Sequence, residues 1–198
     1  YVYLAEVLAA LLFLHVRVTM PSLFSGWFMR FWPLVVMAIA FVGVGFGELF
    51  RRRKQQVLSE PLENTGAILP LLPALGFWVR SVRPSEVDYS LLLLSVGVLY
   101  AALSILRRSF AYGVLAAVAA NGSLWYLLHR QDGLDFLEHP QLWLIPPALC
   151  ALAAGYINRE RLTAQQSSAL RYAAAIVIYV SSTADIFISG VAEAPWLP

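Results

Sequence analysis

The stretch from Phe31 to Phe50 constrains the fold most, because it carries one ionisable group in twenty residues and four cations follow it. As an α-helix, twenty residues reach about 30 Å, which matches the hydrocarbon core of a bilayer. Short cytoplasmic loops retain positive charge, so the cations predict that this end of the span lies in the cytoplasm. The four cations that anchor this topology are Arg51, Arg52, Arg53 and Lys54.

Composition extends the prediction from one span to the whole chain. Hydrophobic residues make up 60% and charged residues 13% of the 198 positions. A soluble domain carries about 25% charged residues, so most of this surface is expected to face lipid. The small net charge of +2, without a basic stripe interleaved with aromatics, argues against nucleic-acid binding. The single cysteine, Cys150, lies in an apolar run and is expected to be a small buried hydrophobe.

The apolar runs predict an all-α fold, a polytopic transmembrane helix bundle of about seven spans in one domain. A polar loop is expected over residues 55–66. The third span is the weakest, because Pro70 and Pro73 break or kink it, and it either crosses the membrane or is re-entrant. The expected spans cover approximately residues 1–16, 31–50, 64–79, 89–106, 110–128, 141–157 and 170–190.

Two capping boxes predict where helices begin. Ser85 with Asp88 precedes the fourth span, and Thr163 with Gln166 precedes the last one. The helix that starts at Thr163 is longer than a bilayer is thick, so its first turns are expected to project into the cytoplasm.

Two counts favour seven spans, with the N-terminus in the cytoplasm and the C-terminus outside. Nine of the fourteen cations then fall on the cytoplasmic side, whereas an uncrossed third segment divides them seven and seven. All six tryptophans fall at outer ends of spans, at the level of the headgroups. Basic inner loops and few cysteines fit a bacterial inner membrane. The tryptophans are Trp27, Trp32, Trp78, Trp125, Trp143 and Trp196.

Two carboxylates near the inner ends of spans need an explanation, because charge is costly in a bilayer. Glu48 has Arg51 and Arg52 three and four residues further on, which predicts an ion pair at the interface. Glu6 is expected to be an interfacial carboxylate, with a proton or cation site as the alternative.

Asp185 is the most unusual polar residue, because it lies inside the seventh span. With Ser181 and Ser182 one turn earlier, it forms either a protonatable or ion-binding site or a hydrogen-bond clamp between helices.

Three histidines, His15, His129 and His139, map to the outer side, and acidic residues are close in sequence to two of them. Together they allow a metal or haem site, but no ligand spacing is diagnostic and interfacial histidine is common. No metal and no cofactor beyond lipids is predicted.

Small residues predict close packing of helices. Gly43 and Gly47 form a GxxxG pair, and Ala151 and Gly155 have the same spacing. The run 121–123, Asn-Gly-Ser, can bond to a neighbouring helix. The alternative for these small faces is a cleft for a lipid or quinone.

Residues 139–188, HPQLWLIPPALCALAAGYINRERLTAQQSSALRYAAAIVIYVSSTADIFI, resemble a segment of large, uncharacterised multi-span membrane proteins of bacteria. The resemblance implies that the chain is part of a longer polypeptide, which agrees with its apolar ends. It implies no activity for any residue.

These features predict a structural or scaffolding membrane component that packs against other membrane subunits, since the chain has small-residue helix faces and no catalytic motif. The expected partners are the lipid bilayer and other subunits or the rest of a longer chain. A transporter or channel that uses Asp185 and Glu6 is the first alternative. An intramembrane enzyme or redox subunit is the second.

Overall fold

The structure is a computed structural model that describes residues 2–24, 26–76, 86–131, 133–134, 136, 139–160 and 162–192. The described residues form α-helices and one short 3₁₀ turn and contain no β-strand, so the all-α prediction is confirmed. The helices are α1 (Val2–Thr19), α2 (Trp27–Arg52), α3 (Gln56–Ile68), α4 (Leu71–Gly76), α5 (Tyr89–Arg107), α6 (Phe110–His129), α7 (Pro140–Ile157) and α8 (Ala164–Ala192), and the 3₁₀ turn is Pro21–Phe24.

Four stretches within the described helices are long and apolar enough to cross a membrane, which indicates a membrane protein. They correspond to the second, fourth, fifth and sixth predicted spans. The four stretches are Arg30–Arg52, Tyr89–Arg107, Phe110–His129 and Pro140–Ile157.

The helices form three antiparallel pairs, α2 with α3, α5 with α6 and α7 with α8. Two of the tight turns that join them place a cation in the left-handed region, Lys54 at φ 60° and Arg108 at φ 48°. The turns of all three pairs lie at the same end of the bundle, which we call the basic end. At the other end the Trp125 indole N–H donates to the backbone carbonyl of Trp143 at 3.0 Å, and we call this the tryptophan end.

The predicted loop at residues 55–66 is wrong, because this segment forms helix α3 and packs tightly on α2. A Cβ added to Gly47 would lie 3.2 Å from the backbone oxygen of Ser59, and one added to Gly66 would lie 3.0 Å from that of Ala40. Glycine therefore lets the two backbones approach closely. The predicted GxxxG packing is confirmed, and its partner is the helix that the sequence analysis missed.

Helix α3 ends at Ile68 and α4 begins at Leu71, so the predicted break next to Pro70 is confirmed. Two tyrosines of α5 bond to backbone carbonyls of this segment, one before the break and one after it. Tyr100 donates its hydroxyl hydrogen to the carbonyl of Ala67, and Tyr89 donates to that of Ala74, each at 2.9 Å. The α3–α4 segment thus runs antiparallel to α5, from the basic end towards the tryptophan end.

Helix α5 lies at the centre of the bundle, where Leu92, Leu99 and Leu103 are fully buried. The predicted polar contacts of residues 121–123 are confirmed. Ser123 donates its hydroxyl hydrogen to the carbonyl of Ser90 in α5 at 2.7 Å. Asn121 donates to the sulfur of Cys150 in α7 at 3.4 Å, so Cys150 is half-buried in a polar contact and not the buried hydrophobe that was predicted.

Helix boundaries follow local capping chemistry. Thr163 and Gln166 exchange the two bonds of a capping box, at 3.1 and 3.2 Å, which confirms that prediction. At the start of α5 the prediction is wrong in its details. Asp88 is itself the N-cap and accepts from the backbone N–H of Ser90, while the predicted cap Ser85 lies outside the described residues.

Two regions, α1 and the α7–α8 pair, flank this core. A Cβ added to Gly155 of α7 would lie 2.7 Å from Cδ2 of Leu170 in α8, so the predicted close packing at Ala151 and Gly155 is confirmed. Almost every described side chain of α1 is exposed. Helix α1 continues to Thr19, beyond the predicted end of the first span at residue 16.

Candidate functional site

A polar cleft of about 430 Å³ opens at the basic end, where α2 and α5 end and α3 begins. Its walls carry charged and amide side chains, although two of the three helices are apolar enough to span a membrane. Seven residues line it, namely Arg51, Gln56, Ser59, Glu60, Glu63, Asn64 and Arg107. The sequence does not predict this site, because most of these residues lie in the segment that is expected to be a loop.

Glu63 and Arg107 form an ion pair at the inner wall of the cleft. The guanidinium of Arg107 reaches both carboxylate oxygens of Glu63, Nε to Oε1 and Nη2 to Oε2. The side chain of Glu63 is 10% exposed and that of Arg107 is 26% exposed. A charge with so little contact with water is costly unless it is paired, so the two side chains offset each other's burial.

Glu48 lies beside the cleft and confirms its predicted ion pair. Its carboxylate is bonded to Arg51 and, at 2.9 Å, to Nε of Arg52. One carboxylate therefore pairs with two guanidinium groups, so the part of the cleft at Arg51 keeps one net positive charge. Glu60 also lines the cleft, is exposed, and makes no ion pair with any residue that the structure describes.

The first turn of α3 adds to the positive wall. Among the described residues no side chain caps this helix, and its N-cap is Gln55. The uncapped N–H groups at a helix N-terminus attract negative charge. The cleft thus offers positive charge at Arg51 and the start of α3, and a carboxylate at Glu60, one turn further along the same helix.

Glu6 lies apart from this cleft, between α1 and α3. Its Oε2 accepts a hydrogen bond from the Thr65 hydroxyl at 2.8 Å. Its Oε1 is buried without a hydrogen-bond partner among the described residues. Near it, the Asn64 amide donates to the Tyr3 hydroxyl at 3.2 Å. The carboxylate of Glu6 therefore connects α1 to α3 through a hydrogen bond. Its position at the membrane interface and the alternative role as a proton or cation site stay predictions.

The predicted polar site of the last helix is seen in part. Ser181 is buried and Ser182 is exposed, and both hydroxyls donate to the carbonyl of Ile178 in their own helix, at 3.1 and 2.7 Å. Asp185 belongs to α8, but its side chain lies outside the described residues. The structure therefore shows helix-internal bonds for the two serines and leaves the role of Asp185 a prediction.

The three histidines lie in separate elements, His15 in α1, His129 at the end of α6 and His139 immediately before α7. No group of three or more metal-ligating side chains occurs in the described part of the chain. The acidic residues 132, 135 and 138 next to two of the histidines lie outside it.

Ion pairs also connect neighbouring elements at the tryptophan end. Arg30 at the start of α2 pairs with Glu86 at 3.0 Å, and Arg130 after α6 pairs with Asp88 at 2.9 Å. The hydroxyl and the backbone N–H of Ser90 hold the pKa of Asp88 below its usual range, with a further contribution from Arg130. These bonds hold the N-terminus of α5 in place.

Comparison with known proteins found no matching protein family, no matching curated protein and no matching solved structure. The resemblance of residues 139–188 to large bacterial membrane proteins stays a prediction.

Proposed function

We propose that the chain is a structural component of a membrane assembly that crosses the bilayer seven times and packs against other membrane helices through α1. The bilayer in this proposal is a bacterial inner membrane, with the basic end in the cytoplasm, the N-terminus inside and the C-terminus outside. The observation that carries the proposal is the way α1 is attached.

Helix α1 makes few contacts with the rest of the molecule. Leu8 is 57% exposed and Leu12 is 63% exposed on one face, and Leu4 and Leu11 are also more than half exposed. Hydrogen bonds from Asn64 and Thr65 hold its first turns, and the ring of Phe13 lies 6.1 Å from that of Phe28 in α2. Lipid tails are as apolar as leucine, so α1 gains little from lying beside α3 unless side chains interlock. A second helix packed over Leu8 and Leu12 would supply those contacts.

The α3–α4 segment supports the odd number of crossings. It extends along α5 from Glu63, which pairs with Arg107, to Ala74, which accepts from Tyr89. Its broken backbone is buried against protein, which is where a bilayer tolerates irregular helix. With this segment counted as a span, α2 and α5 start on the same side and the charge bias of the loops is kept.

Substitutions by tryptophan on α1 test the role as a structural component. In the full-length protein purified in mild detergent, Leu8→Trp with Leu12→Trp should remove a stoichiometric membrane partner, measured by size-exclusion chromatography with light scattering. The matched control is Leu94→Trp with Val98→Trp on α5, which are 48% and 54% exposed at the same spacing. A chain that purifies alone as a monomer, or a partner that survives the α1 substitutions, contradicts the proposal.

Cysteine labelling tests the threading. In a Cys150→Ala background, a cysteine at Lys54 should be protected from an impermeant maleimide in intact cells, and a cysteine at Arg130 should react. Reaction of both positions from one side contradicts the seven-span arrangement.

A transporter or channel is the second candidate, and the break between α3 and α4 favours it. A discontinuous helix beside a buried charge is a common setting for ion sites in transporters. Glu63 lies on the basic-end side of this break, and Asp185 is the predicted protonatable group in α8. Proton flux into vesicles containing the purified protein should then fall with Asp185→Asn and persist with Glu160→Gln. Equal flux in empty vesicles and in vesicles with the protein excludes proton transport.

A further inference from the structure

The charges of the cleft at the basic end divide into three groups. Glu63 and Arg107 neutralise each other at the inner wall. Glu48 shares its single charge between two arginines, which leaves the wall at Arg51 positive. Glu60 lines the cleft without an ion pair among the described residues, so its carboxylate can accept a cationic group. A ligand that carries one anionic and one cationic group matches this arrangement.

The size of the cleft suits a small polar group. Its volume of about 430 Å³ falls in the range of small-ligand sites, about 300–1,000 Å³. One Nη of Arg51 donates to the carboxylate of Glu48. A guanidinium has five N–H donors, so the remaining donors of Arg51 can bind a phosphate. The N–H groups at the start of α3, beside Gln56, add to the same anion-binding wall.

The helices that form the cleft carry exposed apolar side chains close in sequence to its lining residues. Val57 and Ile105 are each 79% exposed, and Leu49 is 42% exposed. The two apolar stretches that border the cleft end at Arg52 and Arg107, so the cleft lies at the headgroup level of a bilayer that they cross. The acyl chains of a lipid bound at this level can extend along the exposed apolar side chains of the bundle, which a water-soluble ligand would not use.

We propose that this cleft binds the phosphoethanolamine head group of a membrane phospholipid. The phosphate lies against Arg51 and the start of α3, and the primary ammonium group lies against Glu60. This site rests on the proposed membrane insertion and is independent of the role as a structural component.

Native mass spectrometry of the full-length, delipidated protein in detergent tests the site with defined lipids. Dioleoyl-phosphatidylethanolamine should bind about fivefold more tightly than the phosphatidylcholine or phosphatidylglycerol lipid with the same chains, the size of one favourable exposed ion pair. A quaternary ammonium donates no hydrogen bond to Glu60, and a glycerol head group carries no positive charge. Glycerophosphoethanolamine, the soluble head group, should compete weakly because it lacks the chains.

Two variants locate the binding. Glu60→Gln should abolish the preference for the ethanolamine lipid over the glycerol lipid, and Arg51→Gln should weaken the binding of both. Glu160→Gln, an exposed carboxylate at the same end outside the cleft, is the matched control and should retain the preference. Far-UV circular dichroism establishes that each variant is folded.

Three outcomes would overturn the proposal. Equal binding of all three lipids removes the basis for ammonium recognition. Competition by the soluble head group as strong as by the lipid shows a soluble zwitterion as the ligand. A loss of preference in Glu160→Gln equal to that in Glu60→Gln shows that the cleft is not the site. The cell-labelling experiment on Lys54 and Arg130 tests the threading separately, so the two results remain distinguishable.

Discussion

Helices α5 and α7 are alike in length and are both apolar enough to span a membrane, yet 44% of the α5 stretch is buried and only 11% of the α7 stretch. In the core, backbones approach through glycine, and side-chain hydroxyls bond to carbonyls of neighbouring helices. At the flanks, α1 is attached mainly through a few polar bonds and α7 meets α8 through flexible side-chain ends. In lipid, contact geometry and hydrogen bonds distinguish a core from a flank, because hydrophobicity is the same in both.

The largest expected effect in the core comes from the Glu63–Arg107 pair. Glu63→Gln leaves the guanidinium of Arg107 without a charged partner and should lower the free energy of unfolding by about 3 kcal/mol. Unfolding by SDS in mixed micelles, followed by circular dichroism, measures it. The control Arg52→Gln removes a guanidinium that is 73% exposed and should cost less than about 1 kcal/mol. Equal losses for the two variants would remove the distinction between the buried and the exposed pair.

Three glycine-to-alanine substitutions compare the core with the flank directly. Gly66→Ala places a Cβ 3.0 Å from a backbone oxygen of α2, so it should cost about 1–3 kcal/mol. Gly155→Ala meets the flexible end of Leu170 and should cost less. Gly45→Ala meets nothing within 4 Å and should stabilise α2 by up to about 1 kcal/mol through helix propensity. The order of SDS midpoints checks all three, and a tolerated Gly66→Ala contradicts the close approach.

Removing one hydroxyl tests the bond at the helix break. Tyr100→Phe leaves the Ala67 carbonyl without that partner and should cost about 1 kcal/mol, measured by the same unfolding experiment. Tyr179→Phe is the control, because Tyr179 is 71% exposed. If the two variants unfold alike, the tyrosine bond contributes nothing to holding α3 and α4 in place.

The smallest expected effect depends on pH at the tryptophan end. The pKa of Asp88 is lower in the folded protein than in the unfolded chain, so its ionised carboxylate stabilises the fold. This stabilisation is complete above the pKa of the aspartate in the unfolded chain, about 4. That stabilisation is lost as the pH falls through the lowered pKa. Asp88→Asn keeps a helix cap and should cost a few tenths of a kcal/mol at pH 7, since the side chain is 35% exposed.

Thermal unfolding of Asp88→Asn and the wild type at several pH values checks this prediction. The difference in Tm between the two proteins should be present at neutral pH and vanish below the pKa of Asp88 in the folded protein. Glu160→Gln serves as the control for a general change of charge. A difference that stays constant with pH would assign the effect of Asp88→Asn to the cap alone.

Local signals were predicted well from the sequence. The Glu48 ion pair, the capping box at Thr163 and the break at Pro70 each depend on residues within a few positions of one another. Helix α3 was missed because Glu60, Asn64 and Pro61 are typical of loops, and its stability comes from packing on Gly43 and Gly47 of another helix. The cleft was missed with it, since its ion pair joins residues 44 positions apart.

The tyrosine bonds at the helix break have a consequence for biosynthesis. A ribosome makes α3 and α4 before it makes Tyr89 and Tyr100, whose hydroxyls donate to the carbonyls of Ala74 and Ala67. While α5 is still in the exit tunnel, those two carbonyls lack the tyrosine bonds. In the seven-span arrangement proposed above, the proline-broken segment would therefore complete its insertion together with α5.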